Sequence, residues 1–303
     1  MLCHLNRLFV FCLTVLSVSA SAMSAEDKTA RSAATVRPAA AELPWHTDYE
    51  KALREATEEK KMLFLYFHEN SATAARKAFE QQTLADLSIR KQLGSYVIAK
   101  LPLDAKVQLQ SKPSVLLRHP AFSEMLGRPG ISVIDMAHRK TDYYGRVVSS
   151  FPFTQGKFYT RQSLATILRL PSGTLTQRTM IYAVRMHPEA PKSTEGNFNP
   201  VLADEAKQHS SYQAAIVSQG HHSWETRFHR INAKMPSGVL AQEVVAESWP
   251  NESLVEACVD CVDSWRQSPG HWGAVRSRHP LFGYDIKRGR NGIWYATGIF
   301  GRR

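Results

Sequence analysis

Between Met62 and Phe67 the chain reads MLFLYF, six apolar or aromatic residues with no polar alternation. A run this short and this continuous is what a strand buried on both faces looks like. Such a strand needs cover on two sides, which helices packed on a sheet provide. Two more segments behave alike: YVIAKLPLD from Tyr96, and GISVIDM from Gly130, which is entered through Arg128-Pro129. Helical spacing lies around them. In DYEKALREATEEKKM, Tyr49, Ala52, Leu53 and Ala56 fall on one face, with Glu55 and Glu59 near Lys60. A second helical stretch runs from about Thr73 to Leu93, DYYGRVVSSF reads as a further strand, and RQSLATILRL as a closing helix. Helix-strand-helix-strand, then strand-strand-helix, predicts a mixed α/β sheet.

LPSGTLTQ, from Leu170 to Gln177, breaks this pattern with Pro, Gly and Ser and marks a domain boundary. Beyond it LTQRTMIYAVRMH reads as a helix. VLADEAKQHSSYQAAIVSQG reads as another, closed by Gly220. HHSWETRFHRI and VLAQEVVAES follow. Ser253 to Glu256 forms a capping box that opens a helix carrying Leu254, Cys258, Cys261 and Trp265 on one stripe. SPGHW breaks that helix. LFGYDI and GIWYATGIF then alternate as a hairpin, with Asn291-Gly292 in its turn.

The first 22 residues contain one arginine, Arg7, an apolar run from Leu8 to Val18, and Ala20-Ser21-Ala22 as a small-x-small cleavage site. That is the anatomy of a secretory signal, and the run is too short to span a bilayer. Residues 23–42, rich in Ala, Ser and charge, read as a linker. The chain is therefore expected to be secreted or periplasmic, and not membrane-spanning once the signal is removed. Its net charge is +11, or +10 without Arg7. From Arg266 to Arg303 eight Lys/Arg face one acid, Asp285. Such a surface suits an anionic envelope or matrix polymer, or another protein, or else it is a solvated face. Nucleic acid is not expected as a partner of an exported chain. Without Cys3 and Cys12 of the signal, Cys258 and Cys261 are the cysteines left, which is no disulfide framework.

Residues 43–170, with a Trp…Tyr-x-x-Ala-x-x-x-Ala start and a Lys-rich bend before the first core strand, resemble the thioredoxin fold. The resemblance implies a redox pair shortly after that strand, in FHENSATAARKAFE. The matching positions hold Ala72 and Ala75. Dithiol chemistry needs two sulfurs, so this domain is expected to be redox-inactive. Pro129 matches the family's cis-proline, which here would be structural. Acid-base or metal roles for His68 and Glu69 stay open beside the reading as loop polars.

Residues 171–303 are similar to the CAP superfamily (cysteine-rich secretory, antigen 5, pathogenesis-related 1) in its bacterial form. The matching string is Gly-His-His-Ser after a helix, an Arg a few residues on, Glu-Val-Val-Ala, then Val-Asp-Ser-Trp-x-x-Ser-Pro-Gly-His, Gly283-Tyr-Asp and Tyr295…Ile-Phe-Gly. It implies an α-β-α sandwich with a cleft of two histidines and one or two acids, which in several members holds a divalent metal. Carried over by motif, these are His222, His271 and Glu243, with Ser268 where the second acid would stand. His221 rivals His222, and Glu247 rivals Glu243. Three such ligands suit Zn²⁺ and leave a position for water, which would allow hydrolysis of a peptide or ester bond. Glu243 could instead be a base, or the three could form a satisfied polar network. Two functions follow: a binding module whose cleft could hold a metal, or a metal-dependent hydrolase. Cys258 and Cys261, at i,i+3 on one helix, read as buried thiols, a strained disulfide, or half of a zinc site with His279. Trp224, Trp249, Trp272 and Trp294 read as core or cleft lining, with sugar stacking as the alternative.

Overall fold

The computed structural model describes residues 43–109, 112–154 and 158–303, so the expected signal and linker lie outside the described residues. In the first half α1 (Tyr49–Glu59) starts at Asp48, whose carboxylate accepts the Lys51 amide N–H at 2.9 Å, and ends at Lys60 in a left-handed conformation. β1 (Leu63–His68) follows, then α2 (Ala74–Ala78), a π-helical turn at Phe79–Leu84 and α3 (Leu87–Leu93). The single helix expected over Thr73–Leu93 is thus broken. Asp86 turns out of the helix and caps a new one with its carboxylate on the Ser88 and Ile89 amides. β2 (Val97–Pro102), the hairpin β3 (Lys106–Leu109) and β4 (Lys112–Val115), two short 3₁₀ turns, β5 (Gly130–Ile134), β6 (Val147–Pro152) and α4 (Arg161–Leu168) complete this half. The β3–β4 hairpin, carried by LysValGlnLeu and LysProSerVal, had no sequence signal strong enough to predict it.

The sheet has the order β2-β1-β5-β6, with β1 parallel to β2 and antiparallel to β5. β1 is buried on both faces, as its composition requires. Phe64 and Tyr66 enter one core with Phe79, Ile89, Phe151 and Leu164, while Leu63, Leu65 and Phe67 enter another with Ala52, Ala56 and Met125. Each such ring or aliphatic side chain withdrawn from water stabilises the fold by about 1.5–3 kcal/mol.

The second half runs α5 (Leu175–Met186), β7 (Asn197–Phe198), α6 (Pro200–Ile216), α7 (Trp224–Asn232), β8 (Leu240–Glu247), α8 (Leu254–Gln267), α9 (Pro269–Arg276), β9 (Leu281–Arg288) and β10 (Trp294–Arg302). Its sheet has the order β7-β9-β10-β8. Strand alternation divides the faces. Val244, Ala246, Phe282, Tyr284, Ala296 and Phe300 meet α5 and α8, while Ala241 and Ile299 meet α6 and α7. The result is an α/β protein in which this half is three layers, helices on both faces of a sheet. SPGHW breaks the helix as expected, at Ser268, and Pro269 is the first residue of α9, where its missing N–H and fixed φ suit a helix start. Asn291-Gly292 sits in the β9–β10 turn, where the Gly289 N–H bonds to Ile293 O at 2.8 Å and Gly292 has φ +79°.

The two halves share one core. Arg178 of α5, fully buried, donates Nε to Ser149 Oγ of β6 at 2.9 Å, and Nη1 to the carbonyls of Leu170 (3.1 Å) and Pro171 (2.8 Å). Among the described residues no peptide bond is cis, so Pro129, expected to match a cis-proline, is preceded by a trans bond. Its carbonyl accepts the Phe153 amide at 2.7 Å and continues the β5–β6 pairing. Trp272 and Trp294 are buried, but Trp249 is 74% exposed where the chain leaves β8, so it is not core.

Gly283 fixes how α6 lies on β9: an added Cβ would stand 2.2 Å from the Ala203 nitrogen and 2.4 Å from the Leu202 carbonyl carbon. Both obstacles are backbone, so Gly283→Ala must lift the helix. We expect a loss of about 1–3 kcal/mol or more, and a melting midpoint lower by on the order of 5 °C, measured by calorimetry.

Candidate functional site

Four elements meet over the α6–α7 face of the second sheet. Alternation along β8 points Glu243 to this face, opposite Ile299 in register. α6 contributes His209, and α7 contributes Arg227. The loop joining these helices carries His221 and His222, and the third residue of α9 is His271. Glu243 is buried, and both of its oxygens are claimed. Arg227 grips it as a fork, Nη2 on Oε1 at 2.8 Å and Nη1 on Oε2. His221 Nδ1 is 2.9 Å from Oε1. On its outer side His221 Nε2 lies 3.2 Å from His271 Nε2.

His221, not His222, therefore joins the cluster. The His222 ring turns away, its Nε2 donating to Ser218 O at 3.2 Å and its edge on Tyr212. Its contribution is a backbone carbonyl that accepts from Arg227 Nε at 3.0 Å. Ser223, next in line, adopts a left-handed conformation with φ 52° before α7 begins. His209, unmarked in the sequence, packs 3.9 Å from Glu243 Oε1 and donates to Gly220 O at 2.9 Å. Arg227, visible only as an arginine after the double histidine, is the cation that makes the buried carboxylate tolerable.

The remaining candidates lie apart. Glu247 ends β8, exposed, four residues and thus roughly 13 Å along the strand from Glu243. Ser268 joins α8 to α9 and makes no side-chain capping bond. Cys258 and Cys261 are free, buried thiols within the α8 core, and burial pushes both thiols up, so they are protonated and inert. His279 is far from a ligand role, stacked on Phe300 with Nε2 on Ala274 O at 2.7 Å. In the first half, Ala75 and Pro129 line a cleft of about 480 Å³ with Tyr66, Arg76 and Phe153, and Ala72 is exposed. His68 and Glu69 are locally satisfied, by Glu69 O and by Thr73 Oγ1.

The charges explain the arrangement. Burial by itself would raise the Glu243 pKa, but the Arg227 hydrogen bonds and then His221 outweigh it and hold the carboxyl below its usual range. Burial first, then the neighbouring His221, lowers His271, and burial lowers His209. These two imidazoles are neutral at neutral pH, the form that binds metals or accepts protons. Glu243 does not fit as a metal ligand, because a cation at its oxygens would have to displace a guanidinium. Among the described residues no group of three His, Cys, Asp or Glu is arranged to hold a metal. The donors that fit are two imidazoles, His221 Nε2 and His271 Nε2, at a spacing compatible with one shared ion. In that arrangement Glu243 orients His221 from behind through Nδ1.

No family model matches the chain, and no curated protein does. Among solved structures it is similar to an outer surface protein from Borrelia burgdorferi, with 20% identity over 41% of this chain and 92% of that one, at a TM-score of 0.33. Among the described residues no helix is long and apolar enough to cross a membrane.

Breaking the clamp from one side leaves a buried, unpaired carboxylate. Arg227→Met is expected to destabilise by about 3–5 kcal/mol, and Arg227→Met/Glu243→Leu to recover most of it, read from denaturant midpoints. The Glu243 pKa is lower folded than unfolded, so its stabilisation is complete above about pH 4.3. It is lost as pH falls toward the folded value, because the unfolded chain then binds the proton first. Glu243→Gln should flatten the stability-versus-pH curve in that acid window alone.

Proposed function

We propose that this chain is an exported binding module, secreted or periplasmic. Residues 43–170 form a thioredoxin-like part without thiols and residues 171–303 a CAP-like part. Its working feature is the pair His221/His271, seated on the Arg227–Glu243 clamp. The observation that carries this reading is that both Glu243 oxygens are occupied by Arg227. A general base must have a lone pair free to take a proton, and a carboxylate held at low proton affinity by a guanidinium is a poor one. The strand order β2-β1-β5-β6, Ala72 and Ala75 in place of sulfurs, and the three-layer second half support the two family resemblances. The leader-like first 22 residues support export.

The imidazole pair suits a weakly held divalent ion such as Zn²⁺, which when bound would polarise a ligand atom from a partner. With two protein donors rather than three, that ion would exchange readily and would not support the fold. The basic segment from Arg266 onward supports an anionic envelope or matrix polymer as partner, and such binding should fall steeply between low and high salt.

Calorimetric Zn²⁺ titration of the full chain tests this. Binding should be present in the wild type, lost in His221→Ala and in His271→Ala, and kept in His222→Ala. Loss in His222→Ala with the fold intact would overturn the assignment of His221. Peptide or ester hydrolysis that needs metal and disappears in Glu243→Gln at unchanged melting temperature would replace the binding reading with the hydrolase.

A further inference from the structure

Where the first half hands over to the second, three polar side chains form a directed chain of hydrogen bonds that the cleft above does not involve. Asp135 follows the last residue of β5 and is fully buried. Its Oδ1 accepts the backbone N–H of Ala137 at 2.9 Å and of His138 at 2.8 Å. Its Oδ2 is 2.7 Å from His138 Nδ1. On the other side of the ring, His138 Nε2 is 3.0 Å from Ser172 Oγ. A carboxylate cannot donate, so Nδ1 carries the proton and donates to it. In the neutral ring Nε2 then holds the lone pair, and the Ser172 hydroxyl is the donor. The direction is that of a base drawing on a nucleophile while a buried acid fixes the ring, within the distances such a set requires.

The surroundings are those of a site rather than a latch. Ser172 lines a cleft of about 380 Å³ with Tyr143, Gln177, Phe198, Pro200 and Lys207. That volume is enough for a small ligand, and the lining mixes Tyr143, Phe198 and Pro200 with Asp142, Asp204 and Lys207, the last paired with Asp142 at 2.8 Å. His138 is partly open to solvent while Asp135 is closed off. Arg178 holds the Leu170 and Pro171 carbonyls, which fixes the backbone just before Ser172. Thr174 caps α5 two residues later, and the amides of Leu175 and Thr176 in its first turn have no intrahelical acceptor. Both residues line the adjoining cleft.

We infer that Asp135, His138 and Ser172 are a nucleophilic triad that hydrolyses small carboxylic esters. Ser172 Oγ attacks the ester carbonyl carbon and its proton passes to His138 Nε2. The tetrahedral adduct collapses, the bond to the alcohol oxygen breaks, and the alcohol leaves with the proton from His138. Water then attacks the acyl-serine by the same exchange, releasing the carboxylic acid and restoring the hydroxyl. Asp135 keeps its charge throughout and stabilises the protonated ring.

The test is labelling of the full chain with a fluorophosphonate probe, read by intact mass and peptide mapping, alongside hydrolysis of p-nitrophenyl acetate. One adduct is expected, on Ser172. Labelling and hydrolysis should be absent in Ser172→Ala and at least about 100-fold slower in His138→Gln. Both should be unaffected by a chelator, which separates this site from the imidazole pair. No adduct on the folded wild type overturns the proposal without recourse to any variant. So does an adduct at another residue, or a labelling rate that His138→Gln leaves unchanged at an unaltered near-UV spectrum.

Discussion

The buried guanidinium of Arg178 is the contact on which the arrangement of this protein most depends. It projects from α5 in the second half, and it finds its acceptors in the first half and in the connection: Ser149 Oγ, and the carbonyls of Ile167, Leu170 and Pro171. Burial lowers its pKa, and the neighbouring Tyr96 and then Asp135 offset part of that effect. Two of these carbonyls, Leu170 and Pro171, lie in the connection just past α4, and Ile167 O also accepts the Leu170 amide. One side chain thereby ties that connection to β6 and sets the backbone from which Ser172 meets His138.

The Arg227–Glu243 pair solves a different problem by the same means. Glu243 lies on a strand whose alternation forces it inward, beneath α6 and α7. Alone it would be neutralised there; the fork from Arg227 keeps it ionised, and His221 is then oriented by it. The same interaction that supports the charge removes the carboxylate from the list of free bases and ligands. The binding role proposed for the cleft rests on that loss of a free base, and the hydrolysis proposed at Ser172 is independent of it.

Much of the architecture was legible. MLFLYF predicted a strand covered on both faces because a short, continuous apolar run bounded by charge suits one, and β1 divides Leu63 to Phe67 between two cores. The capping box at Ser253–Glu256 opens α8, and LPSGTLTQ falls where α4 has ended and α5 begins, since both depend on local backbone bonds. Where the reading went astray, a local rule met a competing one. Asp86 ended a helix that periodicity would have continued. Trp249 lies in solvent although its size argued for the core.

The candidate site was half legible. Glu243 and His271 could be placed by motif, but the choice between His221 and His222 could not, because adjacent residues differ in direction by whatever backbone angles the loop adopts. Arg227 and His209 matter only through their distance from Glu243, and Asp135, His138 and Ser172 only through bonds closed across the junction. The sequence by itself determined the strands and helices, and the absence of thiols at positions 72 and 75, since these rest on side-chain type and on neighbours a few residues away. The tertiary structure alone decided which imidazole faces the carboxylate and which serine faces a histidine. Those are contacts between residues 22 to 50 positions apart, and no short-range pattern encodes them.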